Sequence, residues 1–312
     1  MAFVILVSGG LLLALPGLTA SLARRMVPKR WAILCVAALS TGAVLVALSF
    51  ALIAAPTVLS ALGVHTLAAA CHRLLGPLAP GGTLVGWTAA LAAVALSGSG
   101  THRFVVVLRR NRDVEVEPWL GEHEAWKGHD VVVLPTDEVL AYSIRGRRSQ
   151  IVVSRGLVVA LSPAELHAVL RHEAAHLEHR HQRFLLLATF LESGAPFLRP
   201  LHRSTRSLRT SLERWADEES VGADSEARQV LRSALLGVTA ATLHPTLAAF
   251  SAGDTIMERI RALEAPPVQR TSLPQVVFST PGAALGLAGI TALDVWAGDA
   301  QFLIAMAGRC PI

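Results

Sequence analysis

The sequence predicts an α-helical polytopic membrane protein with about four transmembrane helices and a small α+β domain on its cytoplasmic side. Three observations lead there. Of the 312 residues 52% are hydrophobic and only 16% charged, with a mean hydropathy of +0.49, whereas globular chains run near a quarter charged. The charges are segregated, because every acidic residue except Asp294 and Asp299 lies between Asp113 and Glu264. Uncharged runs flank that stretch, and at about 1.5 Å per residue they are long enough to cross roughly 30 Å of hydrocarbon. A disordered chain is excluded by the same numbers. The net charge of +5 comes from 28 basic and 23 acidic residues, only Lys29 and Lys127 being lysines, and is read as arginine-rich composition rather than direct nucleic-acid binding. Cys35, Cys71 and Cys310 have no CxxC spacing, which excludes a thiolate metal site.

The first predicted span is residues 2–23. Its arginines, Arg24 and Arg25, follow the apolar run instead of preceding it, the reverse of a cleaved signal peptide, so the run is read as a retained helix with an outer N-terminus. A second span covers 31–55. The intervening loop holds Arg24, Arg25, Lys29 and Arg30 and is assigned to the cytoplasm by the positive-inside rule. Residues 56–82, broken by Pro77, Pro80 and Gly81, read as an outer loop. A third span at 83–99 leads into Arg103, Arg109, Arg110 and Arg112, again an inner-face signature. Residues 103–270 form the charged domain, and 271–293 a fourth span that returns the short tail, within 271–312, to the outside. The protein is thus placed, multi-pass, in the plasma (inner) membrane.

Within the domain, short apolar runs at 131–134, 139–144, 150–153 and 157–161 alternate with turns and read as strands. The period then changes. Ser162, Pro163 and Glu165 supply an N-cap, a proline at the first helical position and a capping-box carboxylate. Leu166, Val169, Leu170 and Leu177 follow at helical spacing, predicting one helix over 163–192. Further helices are expected over 204–221, 224–242 and 254–264.

The long helix carries His172, Glu173, Ala174, Ala175 and His176, the HExxH pattern, of which about 0.02 matches are expected by chance in a chain of this composition. Histidines at i and i+4 share a helical face and can ligate one ion. Glu173, beside them, is placed to take a proton from a water attacking a peptide carbonyl. A catalytic zinc needs a third protein ligand and an open position. Glu213 is the best candidate, with Asp217 four residues on and on the same face, placed to orient an imidazole. The competing reading is a solvated acidic face balancing Arg206, Arg209 and Arg214.

These residues carry a resemblance. The run Arg171 to His176, preceded by Ser162 to Leu166 and followed by Glu213, Arg214, Trp215, Ala216 and Asp217, resembles the membrane zinc metallopeptidases of the BlaR1/MecR1 family (M56), and the stretch Gln150 to Leu157 is similar to the strand and turn before that family's zinc helix. The HtpX/Ste24-like peptidases (M48) share HExxH and a later ExxAD, here Glu213 to Asp217, so the motif leaves both families open. Either resemblance implies a gluzincin-like peptidase fold with His172, His176 and Glu213 as Zn2+ ligands and Glu173 as general base. The M56 resemblance implies cleavage of a cytosolic regulator, a BlaI-like winged-helix repressor, in signal transduction. The chain contains no Ser-x-x-Lys, however, and the penicillin-binding sensor domain of BlaR1-like receptors has no counterpart in it, so the signal would need a separate sensor partner, the 56–82 loop or the membrane; a homo-oligomer also stays open. The M48 resemblance implies membrane protein quality control. A third reading, a non-catalytic zinc-binding sensor or scaffold, requires a fourth protein ligand such as His179.

Other residues were weighed beside these. His179 and His181 are read as a basic, solvated helix end rather than a second metal site, and His167 as a surface residue. His202, Arg228 and His244 are candidate oxyanion donors. Asp294 is placed at the membrane interface, and Cys71 and Cys310 share the outer side, where a disulfide is conceivable.

Overall fold

The computed structural model describes residues 2–75, 82–112, 121–145, 149–242 and 249–265. Its apolar N-terminal part forms helix α1 (Ala2–Leu18), the single turn α2 (Ala20–Ala23), α3 (Pro28–Ala61), α4 (His65–Leu75) and α5 (Gly82–Arg112). Stretches over Pro28–Ala61 and Gly82–Val106 are long and apolar enough to cross a membrane, and α1 is a shorter apolar helix. The expected 2–23 helix is therefore interrupted at Thr19, whose backbone leaves the helical region. The second helix runs past residue 55, through Pro56, so part of the expected 56–82 loop is helical. The third continues beyond 99 through its arginines. The predicted fourth span, 271–293, lies outside the described residues, as do Asp294 and Cys310. Where α1 meets α3, Gly9 and Gly42 face each other: a Cβ on Gly9 would lie 2.9 Å from the Gly42 carbonyl oxygen, and one on Gly42 2.8 Å from that of Gly9. Small residues there let the two backbones approach, the usual basis of helix association in lipid.

Four strands follow, β1 (Glu122–Trp126), β2 (His129–Leu134), β3 (Ala141–Arg145) and β4 (Ser149–Ser154), in the order β1-β2-β4-β3. β1 was not expected. It pairs with β2 across Lys127 and Gly128, which both adopt positive φ, the signature of a type I′ hairpin turn. β2 and β4 run parallel and β3 returns antiparallel on the edge. Val132, Ile151 and Val152 are fully enclosed. The expected strand at 157–161 is instead a short helix, α6 (Arg155–Ala160), because the Ser154 hydroxyl accepts from the Leu157 amide and caps a helical turn. Local capping overrode an apolar run that reads equally well as a strand.

The domain is completed by α7 (Pro163–Glu178), α8 (His181–Gly194), α9 (Arg199–Val221), α10 (Ser225–Thr242) and α11 (Ala249–Glu264). The single helix expected over 163–192 is two, broken at Arg180, whose φ of 55° and ψ of 40° are left-handed. Two cores result. Sheet, α7 and α10 enclose Ile151, Leu157 and Ala174, while α8 and α9 pack Ala188, Leu208 and Leu212 against Trp31, Cys35 and Leu39 of α3. The domain is thus docked along the apolar helices.

The N-cap of α7 is complete. The Ser162 hydroxyl accepts from the Glu165 amide, and the Glu165 carboxylate accepts from the Ser162 amide at 2.9 Å and from the Ser233 hydroxyl on α10. The Ser233 bond, followed by the two to Ser162, holds the Glu165 carboxyl below its ordinary value. Ser162→Ala should cost about 1 kcal/mol. A thermal midpoint lowered by about 2–4 °C is expected, with metal content unchanged; an unaltered midpoint would show that this cap contributes nothing.

Candidate metal centre

Helix α7 presents His172 and His176 one turn apart, and both imidazoles turn Nε2 toward the same point, 3.1 Å from each other. Both are buried, because Ala174, Ala175 and Leu177 between and after them pack α7 into the domain. From α9, Glu213 brings Oε2 to 3.4 Å from Nε2 of His172 and Oε1 to 3.6 Å from Nε2 of His176. A tetrahedral ion bonded at about 2.0–2.1 Å holds its ligand atoms about 3.3–3.4 Å apart. The three side chains match that spacing without rearrangement. All their ligand atoms lie within 4.8 Å of one another, and among the described residues this is the group able to hold a metal ion.

Each imidazole is oriented from behind. Nδ1 of His172 lies 2.9 Å from Oδ1 of Asp217, a carboxylate 3% exposed. Nδ1 of His176 lies 2.9 Å from Nδ1 of His181, which is fully buried against Trp215. Burial, then the neighbouring His176 and His179, pushes His181 down to about 3. It is therefore neutral and can accept the Nδ1 proton of His176, leaving the Nε2 lone pair of His176 directed at the site. Partners of this kind set the tautomer and aim of metal-ligating histidines.

The acidic pair is matched by Arg259 of α11. Its Nε and Nη2 donate to the two oxygens of Asp217 at 2.8 and 2.7 Å, and its Nη1 lies 3.1 Å from Oε2 of Glu213. Burial works against the Asp217 charge, but Arg259 and the His172 hydrogen bond outweigh it and hold the carboxyl at about 2. Burial likewise opposes the Glu213 charge, and the two histidines and Arg259 take its pKa well below the ordinary value. Burial and Arg259 disfavour protonation of His172, yet Asp217 and Glu213 still bring it up to about 9. Two ionised carboxylates thus demand positive charge at Nε2, which a metal ion supplies as well as a proton does. Two imidazoles and one carboxylate, with no thiolate, form a nitrogen-and-oxygen donor set suited to a divalent ion.

The ligating atoms open into a cavity of about 520 Å³. Glu173 lines it beside His172, His176 and Glu213, and Tyr142 and Ser143 of the edge strand form part of its wall. Gln182 of α8 donates to the Ser143 carbonyl at 3.0 Å, tying that strand to the histidine helices.

The structure brings together His172, Glu173, His176, Glu213 and Asp217. His179 is not among them: its Nε2 meets Glu219 at 2.9 Å and its ring lies against Trp215. The two candidate oxyanion donors within the described residues are occupied elsewhere. His202 meets the Pro196 carbonyl oxygen, and Arg228 binds both oxygens of Glu218 and the carbonyls at the end of α11. His244 lies outside the described residues. His167 is exposed at the domain surface, as expected; among the described residues Cys71 has no disulfide partner, and its suggested partner Cys310 lies outside them. Sequence reasoning missed Arg259 and the role of His181. A signal for Arg259 exists: Ile256, Arg259, Ile260 and Leu263 form an i, i+3, i+4, i+7 stripe, so the arginine occupies an inward position.

Comparison with known proteins falls on this part of the chain. Residues 121–266 match peptidase family M48. A stretch of 51 residues, 16% of this chain, is 43% identical to Protease HtpX homolog 2 of Methanosarcina mazei, of which it spans 17%. No solved structure matches. The similarity is thus to M48, the second of the two families the motif left open, and together with the apolar helices it suggests a membrane metallopeptidase. Asp217→Asn in this M48-like segment should weaken metal retention by about 10–100-fold, as second-layer changes do. Chelator competition on the full chain would measure it, and unchanged retention would remove Asp217 from the account.

Proposed function

We propose that the chain is a zinc-dependent endopeptidase of the plasma membrane, with its active centre toward the cytoplasm, acting on misfolded membrane-associated proteins. The observation that carries the reading is the convergence of His172, His176 and Glu213 at one wall of an open cavity that Glu173 also lines. Zinc held by those three residues would supply Lewis acidity for the scissile carbonyl and lower the pKa of the attacking water. Glu173 takes the proton from that water and delivers it to the leaving amine. Arg259, engaged with Asp217 and Glu213, keeps the ligating carboxylate ionised instead of reaching for the substrate. The edge strand β3 offers main-chain groups to an extended peptide, the geometry of strand addition, and Val139, Leu140, Leu235 and Val238 give the cavity an apolar wall. An apolar, open cleft beside an edge strand favours unfolded segments of varied sequence, and the likeness to an HtpX homolog points the same way. The alternative substrate, a BlaI-like repressor, rests on the M56 resemblance alone.

Glu173→Gln is expected to retain its metal and lose roughly 10²–10⁴-fold in turnover. Detergent-solubilised wild type and variant would each be incubated with zinc, an unfolded membrane protein and a folded winged-helix repressor, and products read by intact mass. Cleavage of the unfolded protein by wild type alone is the expected result. Undiminished cleavage by the variant would sink the mechanism, and a single cut confined to the repressor would overturn the substrate.

A further inference from the structure

A second cavity, of about 200 Å³, lies between the end of α1 and α9 and is distinct from the metal centre. Gly17, Ala20 and Ala23 line one side, where the apolar stretch of α1 gives way to Arg24 and Arg25. From α9 come Arg203, Arg206, Thr210 and Arg214, and from α11 one opposing carboxylate, Glu258. The close fit of α1 on α9 sets the depth of this wall. The Gly17 amide donates to the Ser204 hydroxyl at 2.9 Å, and a Cβ on Gly17 would lie 2.8 Å from Cβ of Arg203.

Arg203 and Arg206 are exposed and form no ion pair among the described residues, unlike the adjacent Arg209, which is paired with Glu192. Arg214 is only 5% exposed. One end of its guanidinium donates to the Ala23 carbonyl at 2.7 Å, while its buried Nε has no hydrogen-bond partner. Three guanidinium groups against one carboxylate leave the cavity two positive charges in excess. Arginine forks match phosphate oxygens in pairs, and basic pockets between membrane helices at the inner surface take anionic headgroups.

We infer that this cavity binds the phosphodiester of an anionic membrane lipid, with Arg203 and Arg206 on its outer oxygens and Arg214 beneath. Its position fits a lipid better than a soluble anion, because Gly17 to Ala23 mark the level at which the apolar helix ends and a headgroup would begin. The lipid's acyl chains would then lie along exposed Leu11, Leu15 and Leu18 of α1. The inference rests on the membrane placement and not on the peptidase reading, so the two fail separately.

The full chain would be reconstituted in bilayers of equal phosphatidylglycerol and phosphatidylcholine, released, and its retained lipid counted by native mass spectrometry. Wild type should keep phosphatidylglycerol in preference to phosphatidylcholine. The pair Arg203→Gln with Arg206→Gln should lower that preference about thirtyfold, at about a fivefold factor for each surface arginine, while Arg155→Gln with Arg183→Gln, an equal charge loss elsewhere, should leave it unchanged. Both altered side chains are exposed, and the single Arg206→Gln repeats the measurement with half the charge removed. No preference in wild type, or equal retention by the Arg203 and Arg206 variants, would overturn the proposal. Displacement of the lipid by millimolar inorganic phosphate would reassign the cavity to a soluble anion.

Discussion

A carboxylate taken out of water must find positive charge and hydrogen-bond donors, or the fold pays several kcal/mol for it. Asp217 is 3% exposed and finds both. His172 from α7 meets one of its oxygens and Arg259 from α11 grips both. One side chain on α9 therefore fastens three helices that lie far apart in the chain. Its partners in turn settle the neighbours: with His172 turned by Asp217, its Nε2 faces Glu213, and Arg259 reaches the same Glu213 oxygen. Removing Arg259 would leave both carboxylates without their cation, so ligand geometry and domain assembly are held by the same contacts.

Helix α9 joins this cluster to the membrane-facing part. Glu213 and Asp217 look toward α7 and α11, while Leu201, Leu208, Leu212 and Trp215 pack on the N-terminal helices. Between the two faces run small hydroxyl residues. Ser204 accepts from the Gly17 amide and Ser207 from the Trp31 indole at 3.0 Å, so α9 satisfies polar groups of the apolar helices. A helix fixed on both sides transmits little slack: the third ligand is positioned by the same element that seats the domain on α1 and α3.

Much of the site was legible because its chemistry has a short period. Two histidines four apart and two carboxylates four apart can be placed on helix faces by counting, and the Ser162 cap announces where the first of those helices starts. What escaped depends on partners distant in sequence. Arg259 matters through Asp217, 42 residues away, and only its place on an apolar stripe hinted at it. Residues 157–161 read as a strand because apolar runs of that length suit either state, and the deciding contact was a single bond from the Leu157 amide to Ser154. β1, with a charged and mostly exposed pattern, carries no alternation to find, since it is held through its hairpin with β2 rather than by burial.

The break between α7 and α8 shows why the continuous helix was the wrong expectation and what its interruption achieves. Nothing in His179, Arg180 and His181 is a helix breaker by composition, and a left-handed arginine costs on the order of 1 kcal/mol or more. In an unbroken helix His181 would lie about 140° around the axis from His176, on another face, and could not touch it. Turning the chain at Arg180 brings His181 back so that the two Nδ1 atoms stand 2.9 Å apart, inside a pocket closed by Trp215 and Phe184. The strain at one exposed residue is thus tied to the orientation of a buried imidazole. His176 would otherwise have only packing to select which nitrogen carries its proton, and a ligand whose tautomer is unset presents its lone pair to the site only part of the time.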